Sequence, residues 1–281
     1  QKDMEDISRK LPLMSNPKYK ELAEKLKNKD NFAFVRFSDG EFDILQNLYV
    51  ELSSNKVQRG DEVLSQAPYP EEDHKVFNPD LHQESRNKLL ESFKFRKKNY
   101  FKGLSCPCCV PASRVKEVLD LHGDGDEEHI VWSNQFVNSN FPLFINHGYN
   151  HIKSREDIIL IANETIDLEK IDFKIKKHFP VGFNCFVNNL GLIEEIKKYI
   201  SDNKIQNHLF LFSAASLSEI LIYELYKDFP DNTYLDIGTT LHKQMGLSIA
   251  RDYLRAFYND IPHPDLYKKC YHPLLVKNNG I

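Results

Sequence analysis

One stretch constrains this chain more than any other: Phe32-Ala33-Phe34-Val35-Arg36-Phe37-Ser38-Asp39-Gly40-Glu41-Phe42. A compact apolar run ends in a charged, glycine-containing turn, and an amphipathic pattern starts straight after it. Phe32 to Phe37, rich in aromatic and branched residues, reads as a strand of a buried sheet. Glu41 to Leu52 reads as a helix with Phe42, Leu45, Leu48, Tyr49 and Leu52 on one face. The turn between them brings an arginine and two carboxylates to the carboxyl end of a strand, where ligands bind in open α/β sheets.

The alternation continues along the chain. Further strands are expected at Tyr100 to Leu104, Ile130 to Trp132, Asp157 to Ala162, Lys176 to Val181, His208 to Phe212 and Thr233 to Ile237. Helices are expected from Pro17 to Leu26 with Asn16 as N-cap, over Leu81 to Lys98, and from Pro111 with Val115, Val118 and Leu119 buried. Two more follow, over Asn188 to Ile200 and after Ser216, with Leu217, Ile220, Leu221 and Leu225 on one face. Ser53 to Asp80, which holds Pro68, Pro70 and Pro79 and many acids, reads as a long surface loop. Alternating strands and helices define the fold class: α/β, a Rossmann-like open, mostly parallel sheet with helices on both faces. No internal repeat or linker divides the chain, so a single domain over 1–281 is expected, with a polar N-terminal extension (about 1–30) and an irregular C-terminal tail (about 260–281).

Bulk properties narrow the partners. With 281 residues the chain can bury a large core. A net charge of −4 with interspersed signs leaves no footprint for nucleic acid, and Lys94-Phe95-Arg96-Lys97-Lys98 reads as the solvated end of a helix. No apolar run approaches the roughly 18 residues needed to cross a bilayer. The five cysteines, three of them in Cys106-Pro107-Cys108-Cys109, fit reduced thiols better than a disulfide framework. That favours a cytoplasmic protein, or one peripheral to a membrane. Gln1 in place of a methionine is compatible with a trimmed chain that has lost a targeting segment. Structural zinc would need a second ligand pair, whereas Cys185 and Cys270 stand alone. His122-Gly123-Asp124-Gly125-Asp126 lacks the bidentate glutamate of a calcium loop and reads as a turn.

Asp39-Gly40-Glu41 offers two oxygen ligands about a tight turn, a set that suits Mg²⁺ or Mn²⁺ completed by substrate phosphates. Arg36 could add a phosphate contact. The same residues admit a purely local explanation: Ser38-x-x-Glu41 is a capping box. The two readings are compatible.

Val35-Arg36-Phe37-Ser38-Asp39-Gly40-Glu41-Phe42 resembles the R-[FY]-G-D-G-E signature of the GT-D-fold glycosyltransferases, whose D-x-E element marks that fold. A second anchor resembles the same family. Leu209-Phe210-Leu211-Phe212 runs into the small-residue turn Ser213-Ala214-Ala215-Ser216, and a helix and then Tyr234-Leu235-Asp236-Ile237-Gly238 follow. The resemblance spans roughly Asn31 to Leu241. It departs at Ser38, where the family has glycine, at Ala214-Ala215-Ser216, where it often has Gly-Pro-Thr, and at Thr239, where it often has histidine. His242 lies three residues further on.

The resemblance implies transfer of a sugar from a nucleotide-diphosphate sugar, a UDP-sugar foremost, to a hydroxyl of an oligosaccharide or glycoprotein glycan. It implies Mn²⁺ or Mg²⁺ at Asp39 and Glu41, stabilising the leaving diphosphate with help from Arg36. On that reading Arg36, Ser38 and Gly40 lie on the donor side. Ser213, Ala214 and Ser216 occupy a strand-to-helix turn that favours phosphate, although an ordinary N-cap serine explains the pattern equally well. Trp132 with Asn134 and Asn138, after the third strand, supplies side chains that stack on or bond to a base or sugar. An inverting transfer needs a general base, for which Asp236, His242, Glu219 and His147 are candidates. No P-loop or dinucleotide fingerprint is present. The competing classes are a nucleotide-binding phosphotransferase or hydrolase, and a non-catalytic sugar-nucleotide binder.

Overall fold

A computed structural model describes residues 2–11, 16–65 and 75–259. The expected tail over 260–281, with Cys270, and the loop prolines Pro68 and Pro70 lie outside the described residues. In chain order the strands are β1 (Ala33–Phe37), β2 (Tyr49–Glu51), β3 (Lys56–Arg59), β4 (Glu62–Ser65), β5 (Val76–Phe77), β6 (Tyr100–Leu104), β7 (Ile130–Trp132), β8 (Ile158–Asn163), β9 (Ile175–Val181), β10 (Leu209–Ser213) and β11 (Thr233–Asp236). The helices are α1 (Lys2–Lys10), α2 (Asn16–Asn28), α3 (Asp39–Leu45), α4 (Gln83–Lys94), α5 (Ala112–His122), α6 (Phe141–Leu143), α7 (Tyr149–Lys153), α8 (Cys185–Asn188), α9 (Leu192–Asp202), α10 (Leu217–Asp228) and α11 (Asp252–Tyr258).

The seven strands expected from the sequence form one sheet in the order β7-β6-β1-β11-β10-β8-β9. Every neighbouring pair in it is parallel. The fold is therefore α/β with an open parallel sheet, and the reason is visible in the side chains. A parallel sheet covered on both faces needs strands apolar on both sides. In β1, Ala33, Val35 and Phe37 enter one core and Phe34 the other; in β10, Phe210 and Phe212 oppose Leu209 and Leu211. The first core takes in α1, α3, α4, α5, α9 and α10, and the second takes in α2, α7 and α11. Helix α10 is buried continuously from Leu217 to Tyr226. Fully buried aliphatics such as Ile220 and Leu221 each contribute about 1.5–3 kcal/mol.

The connections place the functional edge. From β1 the chain moves outward through β6 to β7, crosses the sheet to β8 and β9, then returns through β10 to β11 beside β1. Strand order reverses between β1 and β11, and a crevice opens beyond the carboxyl ends of strands at such a point.

Three expectations are corrected. The helix expected to reach Leu52 ends at Leu45, because Asn47 adopts a left-handed conformation (φ 60°) and the chain re-enters as β2. The expected loop from Ser53 to Asp80 contains β3, β4 and β5, which join β2 in an antiparallel sheet ordered β4-β3-β2-β5. Gly60-Asp61, with Gly60 at φ 57°, is the two-residue hairpin signal between β3 and β4. The helix expected over Asn188 to Ile200 is α9 and starts only at Leu192, after Asn188 has ended the separate short helix α8. No helix among the described residues is long and apolar enough to cross a membrane.

Gly103 marks how closely the layers approach. It lies opposite Arg36 in the β1–β6 register, and a Cβ there would stand 2.9 Å from Ser133 Cα and 3.2 Å from the Phe34 ring. The close neighbour is backbone and cannot swing away. Gly103→Ala is expected to lower stability by about 1–3 kcal/mol, read as a lower urea midpoint at unchanged slope. An unchanged midpoint would contradict the close approach.

Candidate functional site

Arg36 leaves the end of β1 half-buried, and its guanidinium is held from several sides. Its Nε–H donates to Ser133 O at 3.1 Å and an Nη2–H to Ser38 Oγ at 3.4 Å. Gly238, just beyond β11, passes against it: a Cβ there would come within 2.0 Å of Arg36 Nη1, and the residue has φ 50°. Glycine meets both demands. The Gly238 N–H donates to Asp236 Oδ1 at 2.8 Å, closing a short turn. Asp236-Ile237-Gly238 thus acts as one unit that shapes the seat of Arg36.

Glu41 is the hub of the site, at 7 % exposure. Oε2 accepts from the Ser38 N–H at 3.0 Å, the return arm of the capping box. Oε1 accepts from Lys75 Nζ at 2.9 Å and from the Ser216 hydroxyl, and Lys75 also donates to Ser216 Oγ at 2.6 Å. Burial pushes the Glu41 carboxyl up. The Lys75 charge and the hydrogen bonds from Ser216, Lys75 and Ser38 N–H outweigh it and hold Glu41 below the usual carboxylate range.

Lys75 has no signature in the sequence, and tertiary structure alone brings it here. It precedes β5, and its carbonyl accepts from Leu52 N–H at 3.0 Å. Asn184, in the β9–α8 connection, grips the next residue with both ends of its amide. Its Oδ1 accepts from Val76 N–H at 3.1 Å and its Nδ2 donates to Val76 O at 3.2 Å. The small sheet and this amide together deliver the ammonium group.

Ser213, Ala214 and Ser216 form the turn from β10 into α10. Between them Ala215 is exposed at φ 45°, a conformation that costs a non-glycine residue about 1–3 kcal/mol. The Ala214 N–H donates to Ser218 Oγ at 3.1 Å, and the Cys185 thiol, pushed up to about 11 by burial against the opposing pull of Lys75, donates to Ala214 O.

Beneath this layer lie two further carboxyls, Glu219 at 1 % and Asp236 at 4 % exposure. Burial, followed by the charges of Asp236 and Glu41, raises Glu219 far above the carboxylate range. Burial also raises Asp236, against Arg36, the Glu219 hydrogen bond and the Gly238 N–H. Glu219 Oε2 meets no donor, as suits a protonated carboxyl that itself donates to Asp236. Of the two, Glu219 is pushed the further from the carboxylate range and is the member that favours the proton.

The remaining residues spread along the same edge. Asp39 is exposed at the start of α3, and Gly40 is close enough to Lys75 that a Cβ would meet Nζ at 3.0 Å. Trp132 is buried in the first core, while its neighbour Ser133 supplies the carbonyl for Arg36. Asn134 donates to Ser139 Oγ at 3.0 Å, and Asn138 holds a left-handed conformation. His242 is half-buried, with Nδ1 3.0 Å from Ser248 O. His147 lies in the helical stretch before α7.

The cation test divides the D-x-E pair. Both Glu41 oxygens already accept hydrogen bonds, and Lys75 supplies the balancing charge. The carboxylate of Asp39 is exposed and suits a hard cation that keeps water and phosphate ligands. Among the described residues, the three-carboxylate-or-imidazole cluster that could hold an ion is Asp126, Glu128 and His129. It precedes β7, away from this edge, and Asp126 is already paired there with buried Lys102 at 2.7 Å.

The fold and these groups define an open-sheet α/β protein with two cations, an exposed carboxylate and a small-residue turn at its carboxyl edge. No protein-family model and no curated protein matches the chain. Two solved structures align with it. One is described as "The highly conserved domain of unknown function 1792 has a distinct glycosyltransferase fold", and the other is a selenomethionine-substituted structure of domain of unknown function 1792. The TM-scores are 0.48 and 0.46 at 14 % identity, over 82 % of this chain and 81 % of each of those. Both alignments are loose.

Two outcomes test the electrostatics. Lys75→Met leaves Glu41 buried without its cation, a loss of about 3–5 kcal/mol at neutral pH. The wild-type Glu41 contribution is present above its unfolded pKa, about 4.3, and is lost as pH falls through the depressed folded value. In Lys75→Met burial is opposed only by the Ser216 and Ser38 N–H hydrogen bonds, so Glu41 loses its charge more readily and the deficit in urea unfolding shrinks on acidification; a deficit equal at both pH values contradicts the pairing. Glu219 has the opposite sign, since its folded pKa is raised: its stabilisation is full below the unfolded value and is lost as pH rises. Glu219→Gln, which still donates to Asp236, is expected to gain stability relative to wild type from mildly acidic to alkaline pH.

Proposed function

We propose that the chain is a glycosyltransferase that moves a sugar from a nucleotide-diphosphate sugar, a UDP-sugar foremost, to a hydroxyl of an oligosaccharide or glycoprotein glycan. The observation that carries this reading is the gathering of Arg36, Lys75, the Ser38-Asp39-Gly40 turn and the Ser213–Ser216 turn at the carboxyl edge of the sheet. A departing diphosphate gathers negative charge, and fixed cations at that place stabilise it more in the transition state than in the ground state. Arg36 offers a guanidinium whose orientation is set by Ser133, Ser38 and Gly238. Lys75 offers a point charge held by Glu41.

Mn²⁺ or Mg²⁺, bound by Asp39 together with diphosphate oxygens, would supply further neutralisation of the leaving group. Glu41 acts from behind, fixing Lys75 and Ser216 rather than sharing the ion. For the acceptor, Glu219 favours the proton, and Asp236 faces Arg36 while bonded to Gly238 and Glu219. His242 remains suited to the task. Ser248 O can only accept, so Nδ1 carries the hydrogen and Nε2 is the basic nitrogen of the neutral ring.

Incubation with UDP-, GDP- and TDP-sugars, with Mn²⁺ or with chelator, tests the reading. The expected result is release of nucleoside diphosphate and sugar, reduced about 10²–10³-fold by Arg36→Met and strongly by Asp39→Asn or chelator. Release of inorganic phosphate in its place would indicate a hydrolase or phosphotransferase. Tight, metal-independent nucleotide binding without turnover would indicate a binding protein.

A further inference from the structure

The connection from β6 into α5, which the proposed function leaves unused, brings two sulfurs together. Cys106, buried at 6 % exposure, and Cys109, exposed, have Sγ atoms 3.6 Å apart. Backbone geometry makes this a property of the turn. The Cys109 N–H donates to Cys106 O at 2.9 Å, with Pro107 at the second position, where its fixed φ suits a β-turn. Such a turn keeps its end Cα atoms under about 7 Å, inside the span that a disulfide bridges. Cys185, the other buried thiol described, donates to Ala214 O in a different part of the fold.

We infer that Cys106 and Cys109 form a reversible dithiol–disulfide pair, a redox modification site independent of the sugar-transfer reading. The co-reactant is a small disulfide such as oxidised glutathione. The Cys109 thiolate, the accessible partner, attacks one glutathione sulfur; an S–S bond forms to Cys109 and the other glutathione leaves as thiolate. The Cys106 thiolate then attacks the Cys109 sulfur, forming the internal bond and expelling the second glutathione. Two protein thiols are oxidised, one glutathione disulfide is reduced to two thiols, and the two protein protons pass to them. Cys108 lies between the pair, but a bridge from it to either neighbour would have to close a much tighter ring. The turn begins one residue past Ser105, whose N–H donates to Phe37 O at 3.0 Å, so the pair adjoins the end of β1.

The test equilibrates the full chain with oxidised glutathione, alkylates the remaining thiols and maps the peptides by mass spectrometry. The expected result is a loss of two hydrogen masses with the link between Cys106 and Cys109, reversed by dithiothreitol, and with Cys108 and Cys185 alkylated. Cys106→Ser is expected to stop at a single glutathione adduct on Cys109. Cys109→Ser, at an exposed position that leaves the core intact, is expected to form no internal link. A link through Cys108, Cys185 or Cys270, or a wild-type protein that accumulates only the glutathione adduct, would overturn the assignment.

Discussion

The buried contact of Glu41 with Lys75 and Ser216 is the interaction on which the site depends. Its three members come from the first turn of α3, the residue before β5 of the small sheet and the β10–α10 turn. A carboxylate removed from water is tolerable only when paired and hydrogen-bonded. Here Lys75, Ser216 and the Ser38 N–H meet that demand together. The contact therefore acts as a spatial lock: each of the three elements must reach its place for the others to be stable. A secondary consequence is that the ammonium group of Lys75 is held at the carboxyl edge of the sheet, oriented by Glu41 and Ser216.

A second layer sets the charge of the crevice floor. Glu41, Glu219 and Asp236 are all buried near one another, and three full negative charges there would repel strongly. The fold resolves this by favouring the proton on Glu219 and setting Asp236 against Arg36. Gly238 allows the guanidinium to lie against the backbone beyond β11, and its N–H holds the Asp236 carboxylate. Arg36 and Lys75 thus stand over a floor with less negative charge than a count of carboxylates would suggest.

Legibility in the sequence followed the reach of each signal. Most strands of the main sheet could be read because they are buried on both faces and therefore largely apolar, whereas the edge strand β9 is partly exposed and was legible from its apolar end. The small antiparallel sheet was hidden because its strands are short and partly exposed, with Val63 and Leu64 on the surface, and so carry weak patterning. At this edge, Arg36, Ser38, Asp39 and Glu41 stood out by spacing, which fits a capping box as well as a ligand site, and the stretch from Leu209 to Gly238 stood out by family resemblance. Lys75 did not, since a lone lysine in an acidic, proline-containing stretch is indistinguishable from a solvated one. Ser133 contributes a backbone carbonyl, which no side-chain pattern encodes.

Sequence by itself determined the layered α/β plan, the parallel sheet and the placing of the Arg36–Glu41 turn at a strand's carboxyl end, because hydrophobic periodicity and turn chemistry act over a few neighbouring residues. Tertiary structure decided the partners of Glu41. By spacing alone its carboxylate could cap a helix or hold a cation. In the fold it caps α3 with one oxygen and receives Lys75 and Ser216 with the other. That choice rests on charges and hydroxyls separated by 34 and 175 positions in the chain. Electrostatic pairing depends on distance in space, and only the folded sheet sets that distance.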